Sequence, residues 1–241
     1  MKVSMMTMVE NDSTIKSINA WIDYHKLLGI DEFFIYWNGF EEISFIEEMI
    51  VNKKNVNIIP WPYFRENREE VGNTNNQIEA MHHTLNFCKR IFDWTFYMDL
   101  DEYLIVKSKK LKNYLNDMNQ DVSAVVMRGV CATMTSAEKL LKPAQDNEEI
   151  HINDIKKIKV YKYELNEQKE NPTKFLCKNI QTTKLFVHFP VVCDNEIVYD
   201  NDQEEIYYLH FFNLSRFIGR ANMKNFPILE TNWPFDKKVI L

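Results

Sequence analysis

The order of local patterns in the first 104 residues constrains the fold more than any other feature, because short apolar runs alternate there with segments of helical period. Residues 2–9 are an apolar run. After a polar break at 10–13 with helix-capping chemistry, Ile15, Ile18, Ile22 and His25 fall on one helical face, flanked by Trp21 and Leu28 and stopped by Gly29. Residues 32–37 form a second apolar run and 41–51 a second helical segment. A third run at 56–62 stops at proline. Ile78, Met81, Leu85, Cys88 and Phe92, spaced by three and four, mark a third helix with Thr74 or Asn75 as its cap. A fourth apolar run follows at 94–104. Strand and helix repeated three times before a fourth strand predict an α/β fold, a mostly parallel, Rossmann-like sheet flanked by helices on both faces. Ligands of such sheets bind beyond the carboxyl ends of the strands, so Val9, Glu10, Asn38, Pro60 and the acids after Tyr97 are expected to share one rim.

The fourth run, Trp94-Thr95-Phe96-Tyr97-Met98-Asp99-Leu100-Asp101-Glu102, lacks helical period and ends in three carboxylates within four positions. Read as one extended strand, it turns Asp99 and Asp101 to one side and Met98 and Leu100 to the other. Two carboxylates so close repel unless a cation lies between them, and hard divalent ions such as Mg2+ and Mn2+ prefer such oxygens. An acidic turn after a buried strand is the plain alternative, and for Asp-x-Asp alone it is the commoner one.

Beyond residue 104 the pattern is less regular. Residues 111–118 read as a short helix and 122–128 as a strand. About 135–172 is a long polar excursion, either a lid or acceptor flap or a plain insertion, with 160–165 its one strand-like piece. Residues 184–190 and 206–212 read as short strands, each with a histidine among aromatics, His188 and His210. Ser215, Arg216, Arg220 and Lys224 follow on a basic helix. The 241 residues are expected to form one domain. A net charge of -6 argues against a nucleic-acid surface. Cys88, Cys131, Cys177 and Cys193 form no Cys-x-x-Cys pair, and no segment approaches the roughly 18 apolar residues of a membrane helix. The expected location is therefore cytoplasmic, with no span, and with peripheral membrane association and oligomeric state left open. Neither a Walker pattern nor Gly-x-Gly-x-x-Gly occurs.

A carboxylate-bound divalent cation neutralises phosphate oxygens and stabilises charge on a departing diphosphate. On that reading Asp101 holds the metal, Asp99 completes its shell or binds ribose, and Glu102 supports the pair. A late-strand histidine closes the site, with His210 chosen and His188 the alternative. Either histidine taken alone is more often a buried core residue than a ligand, and the basic positions after His210 also read as a solvated face.

Four separated stretches then share one pattern: Ala20-Trp21-Ile22-Asp23-Tyr24-His25, Phe34-Ile35-Tyr36-Trp37-Asn38, Trp94 to Tyr103, and Leu209-His210-Phe211 with Ser215. Together they resemble the glycosyltransferase family 2-like and family 92 group. That group shows, in the same order, Glu-Trp-Ile-x-Tyr-His, a Tyr-Asp-Asn strand end, a Trp followed by Asp-x-Asp-Glu-Phe, and a late His-Tyr-x-x-Lys-Ser. The resemblance implies a single GT-A domain in which 1–104 bind the nucleotide-sugar and 105–241 the acceptor. It implies transfer of a sugar from a nucleotide-diphosphate sugar, UDP-sugar favoured, to a glycan or other hydroxyl acceptor with Mn2+ or Mg2+. Asp99, Asp101 and His210 are then the metal ligands. Donor contacts are expected at the rim residues Val9, Glu10, Asn38 and Pro60, at Asp99, and at Arg216 and Arg220. Inversion at the sugar requires a carboxylate base, for which Asp194 and Glu138 are candidates. The chain departs from the group at Trp37, where the group has Asp, and at Leu214, where it has Lys. A nucleotidyltransferase of related fold and a sugar- or protein-binding module without catalysis are the alternatives.

Overall fold

The computed structural model describes residues 1–10, 15, 18–39, 41–61, 73–106, 110–131, 160–163, 173–193, 197–201, 205–210 and 228–231. In its first half β1 (Val3–Val9), α1 (Ile18–Leu28), β2 (Glu32–Trp37), α2 (Ile43–Met49), β3 (Val56–Pro60), α3 (Asn73–Cys88) and β4 (Trp94–Tyr97) follow in the expected alternation. Strands β3, β2, β1 and β4 pair in that order and all run parallel. Helices cover both faces, which is why the central strands are apolar throughout rather than on alternate residues. Val3, Met5 and Val9 of β1 pack with Trp21 and Ile22 of α1 and Ile46 of α2, while Met6 joins Ala80, Met81 and Leu85 of α3 on the opposite face. Helix α1 ends at Gly29, whose φ of 103° suits a residue without a Cβ. The N–H groups of Gly29 and Ile30 bond to the carbonyls of Lys26 and His25 at 3.0 and 3.1 Å and so close the last turn.

The run at 94–104 is not one strand. β4 stops at Tyr97, and a new strand, β5 (Glu102–Val106), begins after a turn in which the Glu102 N–H bonds to the Asp99 carbonyl at 3.1 Å. Aspartate at the first position of such a turn is favoured. The turn also keeps Met98 and Leu100 buried while Asp99 and Asp101 stay partly exposed. Asp99 and Asp101 therefore owe their placement to a turn, not to strand alternation.

The second half contributes α4 (Leu111–Asp117), β6 (Val122–Cys131), β7 (Val160–Tyr163), β8 (Thr173–Lys178), β9 (Thr182–Leu185), β10 (Pro190–Val192), β11 (Ile197–Asn201), β12 (Ile206–His210) and β13 (Ile228–Thr231). The main sheet runs β3-β2-β1-β4-β8-β6-β12-β5, with β11 beside β6. It is more mixed than expected: β8 is antiparallel to both β4 and β6, and β5 is antiparallel to β12. The sheet curls, so that β5 returns to pack in the same core as α1. Strand β8 escapes a sequence reading because lysines, depleted in strands, stand near both ends of it. Its Phe175, Leu176 and Cys177 are nevertheless fully buried between β4 and β6. Residues 184–190 are not one strand either; they belong to the β9–β10 hairpin, with His188 in its connection. Of the polar excursion at about 135–172 only β7 is described, and it pairs with β13.

Candidate functional site

At the carboxyl ends of the parallel strands the Asn38 N–H bonds to the Val9 carbonyl at 2.9 Å, the Asn38 amide reaches Glu10 Oε1 at 3.4 Å, and the Trp61 N–H bonds to the Trp37 carbonyl at 2.8 Å. These bonds carry the pairing past the strand ends and line up Val9, Glu10, Asn38 and Pro60 along one edge. Trp37, at the position where the resembled group carries an acid, points away from that edge. Its indole N–H donates to the Glu41 carbonyl at 2.9 Å and its ring packs on Phe45.

The acidic turn is built around a lysine that the sequence reading missed. Lys174 enters from the start of β8, with its side chain only 4% exposed, and its ammonium bonds to Asp99 Oδ2 at 2.5 Å and lies 3.5 Å from Glu102 Oε2. Gln77 donates to the other Asp99 oxygen at 3.0 Å, and the Asp99 N–H donates back to Glu102 Oε2 at 2.9 Å. Burial pushes the Asp99 carboxyl up, but Lys174, helped by His210 and Gln77, outweighs it and leaves the group below the usual carboxylate range. Glu102 goes the other way. Burial, with the charges of Asp99 and Asp101 behind it, prevails over Lys174 and His210 and pushes Glu102 up to about 8.

His210 is delivered by β12, where it stands opposite Glu102 of β5, and its Nε2 lies 3.4 Å from Asp101 Oδ2. The approach of β12 to β6 depends on Gly129: a Cβ there would lie 2.7 Å from the Tyr208 phenol. Burial pulls His210 down, and the charge and hydrogen bond of Asp101 more than compensate.

Asp101, Glu102 and His210 each offer a ligand atom within 4.8 Å of the others. Glu102 is 1% exposed, and its Oε1 has no hydrogen-bond partner among the described residues. With Glu102 ionised and His210 neutral, as a bound cation would hold them, three carboxylates face one lysine and two negative charges are left for a divalent cation. The residues present therefore fit such an ion. The structure brings Asp101 and His210 together as the sequence suggested and adds Glu102 itself, while Asp99 stands against Lys174 outside that group. His188, the other histidine considered, is exposed in the hairpin connection and bonds through Nδ1 to the Thr173 carbonyl at 2.9 Å. Arg216, Arg220, Ser215, Lys224, Asp194 and Glu138 lie outside the described residues.

The chain is also similar to known proteins. The model of glycosyltransferase family 92 matches residues 1–240. A glycosyltransferase family 92 protein of Ricinus communis is 26% identical over 104 residues, which cover 42% of this chain and 17% of that protein. Among solved structures, S. aureus TarS is similar with a TM-score of 0.37 and 17% identity, over 54% of this chain and 22% of that one. The 4-diphosphocytidyl-2C-methyl-D-erythritol synthase of Anaerococcus prevotii is similar with a TM-score of 0.42 and 10% identity, over 93% and 99%.

Proposed function

Because the chain belongs to glycosyltransferase family 92, whose model matches residues 1–240, we propose that it moves a sugar from a nucleotide-diphosphate sugar, UDP-sugar first among them, to a hydroxyl of a glycan acceptor, with Mn2+ or Mg2+ held by Asp101, Glu102 and His210. The observation that carries this reading is the cluster of those three residues, with a fully buried Glu102 oxygen that meets no donor among the described residues. Two carboxylates and an imidazole suit Mn2+ better than ions that take oxygen alone. When bound, the ion supplies counter-charge to the diphosphate as it leaves. Lys174 keeps Asp99 ionised with 39% of its side chain exposed, able to accept hydrogen bonds from ribose or sugar hydroxyls. Glu10 and Asn38, which meet each other at the carboxyl ends of β1 and β2, are assigned to the nucleoside. Phosphate contacts at Arg216 and Arg220, and a base at Asp194 or Glu138, complete the proposal from the sequence. The free thiols of Cys88, Cys177 and Cys193 accord with the cytoplasmic location we propose.

Calorimetric titration with Mn2+ and with UDP-, GDP- and CMP-sugars, on the wild type and Asp101→Asn, tests this, followed by a transfer assay. The wild type should bind a nucleotide-sugar only together with the ion. Asp101→Asn should keep its melting temperature and lose transfer by more than the roughly 10- to 100-fold that partners outside the coordination shell are worth. Donor binding of equal strength without the ion, or binding of nucleoside triphosphates but of no nucleotide-sugar, refutes the reading.

A further inference from the structure

Strand β5 ends the main sheet: β12 pairs along one edge, and no strand pairs along the other among the described residues. A buried strand with an open edge has main-chain groups that need partners. Here three side chains of α1 meet them. The Trp21 indole N–H donates to the Glu102 carbonyl at 2.8 Å, the Tyr24 hydroxyl donates to the Leu104 carbonyl at 2.7 Å, and the Leu104 N–H donates to His25 Nε2 at 3.2 Å. His25 Nδ1 lies 2.8 Å from the Trp21 carbonyl one turn back, so it carries the proton and Nε2 is left as the acceptor that Leu104 requires. All three side chains are at most 2% exposed. Their rings pack edge-on, with centroids 4.6 Å apart for Trp21 and His25 and 5.1 Å for Tyr24 and His25, and His25 stacks on Tyr103 at 5.8 Å.

The spacing explains why these positions do it. Residues 21, 24 and 25 are three and four apart and lie on one helical face, while 102 and 104 present their main-chain groups to the same strand edge. Glu102 belongs to this edge and to the candidate cation cluster at once. Its carbonyl is held by Trp21, its N–H closes the turn onto Asp99, and its carboxylate is one of the three ligand groups. A shift of the β5 main chain would therefore move the carboxylates of Glu102 and Asp101 with it.

We propose that Trp21, Tyr24 and His25 are positioning residues: by gripping the main chain of β5 they set where the Asp101 and Glu102 carboxylates stand, and so fix the affinity of the site for its cation. This rests on the cation reading of the cluster given above. The polar aromatic face of α1 thus serves the site through main-chain bonds, as well as filling the core.

Tyr24→Phe removes one hydroxyl and keeps the ring, and Ile46→Val trims the same core from α2 as a control. Two quantities decide: the Mn2+ dissociation constant by calorimetry, and the amide hydrogen exchange of the segment 99–106. Tyr24→Phe should weaken Mn2+ about 10-fold, as loss of a partner outside the coordination shell does, and speed exchange through 99–106. Ile46→Val, at a similar loss of melting temperature, should change neither. His25→Leu, which takes the acceptor away from Leu104, should show both effects as well. Equal effects from Tyr24→Phe and Ile46→Val, or none from Tyr24→Phe, overturn the proposal. Exchange reports on the grip itself, so a wild type that binds no Mn2+ overturns the cation reading, while unchanged exchange in Tyr24→Phe overturns the grip.

Discussion

Acid should weaken this fold through His25, and the size of the effect follows from the surroundings of that ring. Its side chain is fully buried, one nitrogen donates to Trp21 and the other accepts from Leu104. Burial pulls its pKa down to about 3, and the bond to Trp21 opposes this only in part. The unfolded chain has the ordinary value, about 6.5. At pH 7 the ring is neutral in the folded state and mostly neutral in the unfolded one, so it contributes little to the pH dependence. Below pH 6.5 the unfolded state takes up a proton that the folded state refuses, so stability falls by about 1.4 kcal/mol per pH unit until the folded ring also protonates near pH 3. At pH 5 the loss is about 2 kcal/mol, or about 4–8 °C in melting temperature for a chain of this size. His25→Gln keeps an acceptor for the Leu104 N–H and removes the titration. It also loses ring packing at every pH, so the deciding quantity is the slope and not the offset. Urea unfolding of both proteins at pH 7, 6 and 5 should show the gap between them narrowing by about 2 kcal/mol from pH 7 to pH 5. Parallel lines would mean that the folded ring accepts its proton as readily as the unfolded one. That would refute Leu104→His25 as a hydrogen bond to a neutral nitrogen, and with it one arm of the α1–β5 grip.

Two further outcomes test the surroundings of the site. Lys174→Met leaves Asp99 and Glu102 facing each other without their ammonium; the cost should be about 3 kcal/mol, the low end for a broken buried pair because the Asp99 side chain is 39% exposed. Thermal melts should show a drop of about 10 °C that Mn2+ partly restores, and an unchanged melt would mean that the ion pair does not form. Gly29→Ala should cost about 1–2 kcal/mol in urea unfolding, since a Cβ would meet only Lys112 at 3.8 Å and the penalty is that of a φ of 103° alone; a neutral result would mean that α1 ends in another conformation.

The parallel half of the sheet is legible in the sequence because each strand there is bounded by its own punctuation. Gly29 stops α1, Pro60 ends β3, and the three- and four-residue spacing of Met81, Leu85 and Cys88 gives α3 its buried face. Asp101 and His210 could be named because their chemistry is unusual at the end of an apolar run. Lys174 could not. A lysine beside Phe175 reads as the polar end of a loop until β4 and β6 are known to flank it, and that pairing joins residues about 80 positions apart in one case and about 50 in the other. The turn at Asp99 was hidden for a related reason. Met98 and Leu100 alternate with the acids as a strand would, and only the hydrogen bond between Glu102 and Asp99 breaks the alternation.

Strand direction explains how one lysine and one histidine reach a rim made of strand ends. A parallel strand beside β4 would bring its own last residues to that edge. β8 is antiparallel, with Tyr97 opposite Phe175, so its first residues arrive there and Lys174 falls beside the turn that follows β4. β12 repeats the device: it runs parallel to β6 and antiparallel to β5, so its last residue, His210, lands opposite the first residue of β5, Glu102. The site is thus assembled from two strand ends, β4 and β12, and two strand starts, β5 and β8. The switch from parallel to mixed pairing at β4 is what brings a cation and an imidazole to acids that an all-parallel sheet would have left facing one another.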